Sequence, residues 1–260
     1  KRSEFFETFD FVCSLLLLRE KLLGVKLTSA RLIGVDAGFT RAFQSLFPAT
    51  TITAKDHTQA QARLWRRLGS DIGFLVRTIG VLFVNAVIKK NVASHQDAER
   101  TFFSIYPQMF STAGIDTKYG DFVGKQDNYA VSILIDGMHQ QVSIVDYVRW
   151  CREAESKGFG VIDRYLAVSD LAFGLYWAGR LWWFFFQQRD QGYFFKGMDI
   201  SGLIQTELLF SISRVMRLCV VKGALRRFLE INPVRELVYY PCEYPFGRMI
   251  SWVVKSHDRL

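Results

Sequence analysis

Tyr129-Ala130-Val131-Ser132-Ile133-Leu134-Ile135, running into Asp136-Gly137-Met138-His139, is the stretch on which the fold turns. Seven residues without a charge, stopped by an acid and a glycine, read as a central strand of a parallel sheet, buried on both faces. Upstream, Thr101–Tyr106 has the aromatic and β-branched content of a strand and is stopped by Pro107. Downstream, helical spacing over 144–156 leads into a short strand near Phe159–Ile162. Earlier still, Arg31–Val35 is a β-type run that ends in Asp36-Ala37-Gly38 and enters a helix at Thr40–Leu46. Asp36 in that position is more often a helix N-cap than a ligand.

Strand and helix therefore alternate through residue 162. That order predicts an α/β chain with a Rossmann-like open, mostly parallel sheet and crossover helices. The expected organisation is a Rossmann-like core over 1–164, followed over 165–260 by aromatic and long helices that return to a last strand and helix of the same domain. In such sheets ligands sit beyond the carboxyl ends of the strands. The candidates there are Asp36, Gly38, Tyr106, Pro107, Asp136, Gly137, Met138 and His139.

The helical segments are read from periodicity. Residues 3–24 return apolar side chains at helical spacing. Residues 58–90 carry Gly69, Gly73 and Gly80, which predicts two helices or a kinked one, with the apolar part Ile79–Ile88 buried. Leu171–Gln188 is an aromatic helix with one charge, Arg180. Asp199 reads as the N-cap of a long helix over Ser201–Glu230, ended by Pro233, with a strand at Glu236–Tyr240 and a helix near Phe246–Lys255.

Composition excludes disorder: half the residues are hydrophobic and 22% are charged. A net charge of +8 favours an anionic partner, whether nucleotide, phospholipid headgroup or nucleic acid. Cys13, Cys151, Cys219 and Cys242 are far apart and beside apolar runs, as buried thiols of a reducing compartment are. The four histidines are equally scattered, so no zinc site is expected and no metal is assigned. The absence of a D-x-D-type pair favours a metal-independent reaction. No secretory signal is visible and no run reaches about 18 uncharged apolar residues, so no membrane span is expected. The chain begins at Lys1 rather than Met, so its start is expected to be missing.

Glycine motifs of dinucleotide and P-loop enzymes, and the G-x-S-x-G elbow of hydrolases, are absent. Two features carry chemistry instead. The aromatic helix reads as core packing or as an interfacial helix with Trp177, Trp182, Trp183 and Phe186 in the headgroup region. Base stacking ranks last, because basic residues are not interleaved with the aromatics and are spread over many segments, so no nucleic-acid partner is expected. The turn Tyr239-Tyr240-Pro241-Cys242-Glu243-Tyr244-Pro245-Phe246-Gly247-Arg248 holds a carboxylate just past a strand and ahead of a helix. The prolines restrict it. Glu243 there can accept from sugar hydroxyls or act as a general base, and equally can cap the helix or pair with Arg248.

The stretch Gly192-Tyr193-Phe194, Asp199-Ile200, Leu203-Ile204, Glu207-Leu208, a long helix, then Glu243, Phe246 and Arg248, resembles bacterial surface-carbohydrate glycosyltransferase-like proteins of the O-antigen and capsule type. Tyr106-Pro107 and Lys118-Tyr119-Gly120-Asp121 resemble the first half of the same family. The likeness covers roughly residues 100–255. Phe246 stands where that family usually has Trp, and Gly247 where it has a second Glu, which puts catalytic competence in question. The resemblance implies one half of a GT-B-like architecture, completed by a second Rossmann-like domain across a cleft. It implies no cofactor, a nucleotide-sugar donor as substrate, and a lipid-linked or polysaccharide acceptor. Glu243 would be catalytic, with Asp136, Gly137, His139, Tyr106 and Arg248 binding substrate, in a cytoplasmic protein peripheral on the inner face of an anionic membrane. The alternative is a non-catalytic module that docks a polysaccharide-synthesis complex on the membrane.

Overall fold

The computed structural model describes residues 4–22, 24–33, 35, 37–55, 58–88, 100–104, 128–135, 143–188, 190–232, 234–239 and 245–257. In chain order they form α1 (Glu4–Lys21), β1 (Ser29–Ile33), α2 (Ala37–Leu46), β2 (Thr51–Lys55), α3 (Thr58–Val87), β3 (Arg100–Ser104), β4 (Tyr129–Ile133) and α4 (Ile144–Ser156). There follow β5 (Gly160–Val161), a 3-10 turn (Ile162–Tyr165), α5 (Val168–Gln188), β6 (Phe194–Phe195), β7 (Met198–Asp199), α6 (Ser201–Ile231), β8 (Glu236–Tyr239) and α7 (Pro245–Lys255). The chain divides into two compact units that interleave in sequence, Lys1–Ile72 with Trp177–Arg214 and Gly73–Tyr176 with Val215–Leu260.

The second unit is built on a four-stranded, wholly parallel sheet in the order β5-β4-β3-β8. Side chains alternate across each strand, and both faces are buried. Phe102, Val131, Ile133 and Ile135 point to one face, against Val81 and Val84 of α3 and Tyr147, Cys151 and Ala154 of α4. Phe103 and Leu134 point to the other, against Val221, Leu225, Phe228 and Leu229 of α6 and Phe246, Ile250 and Val253 of α7. The unit is thus a helix–sheet–helix sandwich, and the uncharged run at 129–135 is one of its central strands. Helix α4 starts where Ser143 Oγ accepts from Asp146 N at 3.1 Å. It ends at Gly158, whose φ of +74° is the left-handed conformation that closes helices.

The first unit holds a separate parallel pair, β1 and β2, in register Ser29↔Thr51 to Ile33↔Lys55. Its core gathers Leu15 of α1, Ala42 and Phe43 of α2, Met198 and Leu203. The hairpin β6–β7 turns through Lys196 and Gly197, both at positive φ, as a two-residue hairpin loop requires. Asp199, expected as the N-cap of the following helix, ends β7 instead, and its carboxylate accepts from Ser201 N, the first residue of α6, at 2.9 Å. At the start of α6, a Cβ on Gly202 would lie 2.6 Å from Gly38 Cα, so only glycine lets α2 and α6 approach this closely.

Expectations for residues 58–90 are corrected in part. Of the two alternatives for 58–90, two helices or a kinked one, the first falls, because α3 is one helix over Thr58–Val87. Gly69 and Gly73 each weaken a helix by only about 1 kcal/mol and remove no hydrogen bond, so the ladder carries through them. The Ile79–Ile88 part is not buried throughout: Ile79 is 57% and Phe83 70% exposed. By length and composition alone the segment Leu68–Val87 is long and apolar enough to cross a membrane, although Asp71 and Arg77 interrupt it.

Candidate site at the switch point of the parallel sheet

Strands β3, β4 and β5 follow one another outward in one direction, whereas β8 returns to the opposite side of β3. The order therefore reverses between β3 and β8. At such a switch point the connections leave on opposite faces and a crevice opens beyond the strand ends, where α/β sheets bind ligands. Register holds the pair: Arg100 pairs with Glu236, and Phe103 with Tyr239. At the entrance to the strands, Arg100 Nε donates to Glu236 Oε2 at 2.8 Å. At the far end, the Tyr239 hydroxyl is hydrogen-bonded to Ser251 Oγ, which ties the end of β8 to α7.

Behind the neighbouring strand end lies a buried polar network that periodicity did not reveal. Asp163, in the 3-10 turn and only 5% exposed, accepts from Ile135 N at 2.6 Å through its carboxylate. Its own carbonyl accepts from Asn85 Nδ2 at 2.7 Å. Asn85 Oδ1 accepts in turn from the Tyr147 hydroxyl at 3.1 Å and from Arg164 at 3.3 Å. Arg164 Nε donates to Glu155 Oε1 at 2.8 Å, an ion pair whose side chains are 4% and 10% exposed. Removing either partner of such a pair strands a buried charge and costs about 3–5 kcal/mol. The network fixes the residue immediately before Asp136. Burial, reinforced by the Asp163 charge, raises Tyr147 well above the ordinary tyrosine range and pushes the Cys151 thiol up to about 12. The available signal was an adjacent acid and base, Asp163-Arg164, directly after the shortest buried strand.

Tyr106, Pro107, Asp136, Gly137, Met138, His139 and Glu243 lie outside the described residues, as does Asp36. In sequence they follow β3, β4 and β8, which are neighbouring parallel strands. Gly38 is buried in the first unit, at the contact with Gly202, and serves packing. Arg248 is exposed on α7, which buries Phe246, Met249, Ile250 and Val253. Among the described residues no group of His, Cys, Asp and Glu converges to hold a metal. Cys13, Cys151 and Cys219 are free thiols.

On α5, Trp177, Trp183 and Phe186 are exposed, and Trp182 is half-buried, stacked on Phe186 with centroids 5.7 Å apart. Most of this aromatic face is therefore wet rather than packed. Compared with known proteins, the chain matches no protein-family model, no curated protein and no solved structure.

Proposed function

We propose that the chain is the acceptor-side domain of a glycosyltransferase of bacterial surface-polysaccharide synthesis, one half of a GT-B-like enzyme. One observation supports the reading best: the parallel sheet reverses its order between β3 and β8, the two strands that lead into Tyr106 and Glu243. The resemblance of the 239–248 turn to such enzymes points the same way. In this reading Glu243 takes the proton of the attacking acceptor hydroxyl as general base. Asp136 and His139 bind sugar hydroxyls, and Arg248 offers a guanidinium to phosphate. The donor is a nucleotide sugar, bound largely by a second Rossmann-like domain, and the acceptor is lipid-linked or polysaccharide. Glu243→Gln in the longest natural chain should abolish transfer to acceptor while leaving the melting temperature nearly unchanged. Retained transfer alongside lost stability assigns Glu243 to structure and ends the reading.

A second reading, a membrane-docking module, has its own observation. In the second unit α3 turns Val76, Ile79, Phe83, Ala86 and Val87 outward, while Thr78 is buried and Asn85 bonds to Asp163. The helix is apolar on both faces, since Phe74, Val81 and Val84 are buried while Val76, Ile79, Phe83 and Val87 are exposed. The positions bordering the exposed stripe are Leu75, Leu82, Gly73 and Gly80, without the charges that flank a water-facing coiled-coil seam. Acyl chains suit that face better than a second helix. Co-sedimentation with anionic liposomes tests it, and an absence of binding at low salt removes it.

A further inference from the structure

Away from the sheet edge, the second unit has a cavity of about 240 Å³ between the start of α5 and the middle of α6. Ser169, Asp170 and Phe173 line it from α5, and Cys219, Lys222, Gly223, Arg226 and Arg227 from α6. Three cations thus face one acid. Their partners are unequal. Arg227 is committed to the fold, because its guanidinium pairs with Asp170 and its Nε donates to Tyr165 O at 2.6 Å. Asp170 is committed as well, since the same carboxylate accepts from Ala167 N at 2.9 Å. Arg226 reaches Glu230 at 3.3 Å, a pair more than half in water and correspondingly weak.

Lys222 has no carboxylate among the described residues. Its ammonium sits 3.7 Å from the centroid of the Trp252 ring and 5.7 Å from that of Phe173. Burial disfavours its charged form, and neighbouring Arg226 adds repulsion. Once Arg227 and Asp170 cancel, the cations left on the cavity wall are Lys222 and Arg226, the latter held by its weak pair with Glu230. The N-terminal turn of the 21-residue helix α5 contributes Ser169 and Asp170 to the same wall, adding the positive end of its dipole. Gly223 makes room for the Asp170 carboxylate, with which any Cβ there would collide.

We propose that this cavity binds the phosphate of a phosphate ester, with Lys222 and Arg226 as its charged ligands and Phe173 shielding the adjoining apolar portion. The volume lies below the roughly 300–1,000 Å³ of sites that bury drug-sized molecules, so it suits a headgroup rather than a whole nucleotide sugar. The inference does not rest on the transferase reading. Both a soluble ester and a lipid headgroup present this chemistry, and the test separates them.

The experiment is a calorimetric titration of the full chain with pyrophosphate and with glycerol 3-phosphate, in parallel with co-sedimentation on phosphatidylcholine vesicles with and without phosphatidic acid. Lys222→Met keeps the apolar stem and removes the charge. Arg226→Gln acts at an exposed position where folding is not at stake, and Arg149→Gln, paired with Asp146 on α4, controls for net charge. Each cavity variant should weaken binding about tenfold or more, the size of one lost charge-assisted contact. Arg149→Gln should change it less than about twofold, as an exposed pair does. Binding of pyrophosphate or glycerol 3-phosphate assigns a soluble phosphate compound, and binding only to phosphatidic-acid vesicles assigns a lipid. No binding in either arm, or binding insensitive to both Lys222→Met and Arg226→Gln, overturns the proposal.

Discussion

Asp163 shows how one side chain supports a strand end. Its carboxylate accepts the backbone N–H of Ile135 in a site closed to water. Asp163→Ala leaves that donor unsatisfied and should lower unfolding stability by about 2–4 kcal/mol, read from urea denaturation. A loss below about 0.5 kcal/mol contradicts the assigned role. Cys151 carries the pH dependence. Its pKa, 9.0 without the fold, is pushed up to about 12 by burial first and by Asp163 second. A raised pKa stabilises fully below the unfolded value and is lost as pH climbs towards the folded one. Stability should therefore fall above pH 9.0, by up to about 1.4 kcal/mol per pH unit for this group. Cys151→Ala should flatten that fall in thermal melts, and native Cys151 should resist iodoacetamide until the chain unfolds. Tyr147, raised by the same burial, steepens the fall further.

At the scale of elements, the legible and the illegible separate cleanly. The uncharged run 129–135 declared itself as a two-sided strand because parallel strands under helices have no wet face to mark with polar residues. Helix α3 misled for the converse reason. Periodicity states which residues share a face but not which face the protein keeps, and here the polar Thr78 and Asn85 turn inward. Strand β2 at Thr51–Lys55 was missed because Thr-Ile-Thr-Ala-Lys is short and its partner β1 lies apart in sequence. The Lys222 cavity left no motif, since its cations come from one helix and its acid and ring from another. The exposed face of α3 gives the prediction at this scale. Ile79→Ser with Phe83→Ser should abolish co-sedimentation with anionic liposomes and leave the melting temperature within a few degrees. Unfolding of that variant identifies the face as packed, and unchanged binding moves the contact elsewhere.

At the scale of the whole molecule, the second unit is a parallel sheet with a single reversal of order, between β3 and β8. The candidate residues were legible as positions after strand ends, because an acid or glycine at the carboxyl end of a buried strand is where such sheets place chemistry. Their mutual geometry was not, since side-chain convergence depends on the connecting segments rather than on spacing in sequence. The most direct measurement is transfer from nucleotide-sugar donors to a lipid-linked or polysaccharide acceptor by the longest natural chain, wild type against Glu243→Gln. The account predicts transfer by the wild type and its loss in the variant, with matching melting temperatures. Equal transfer by both, or transfer lost only because the variant unfolds, would contradict it.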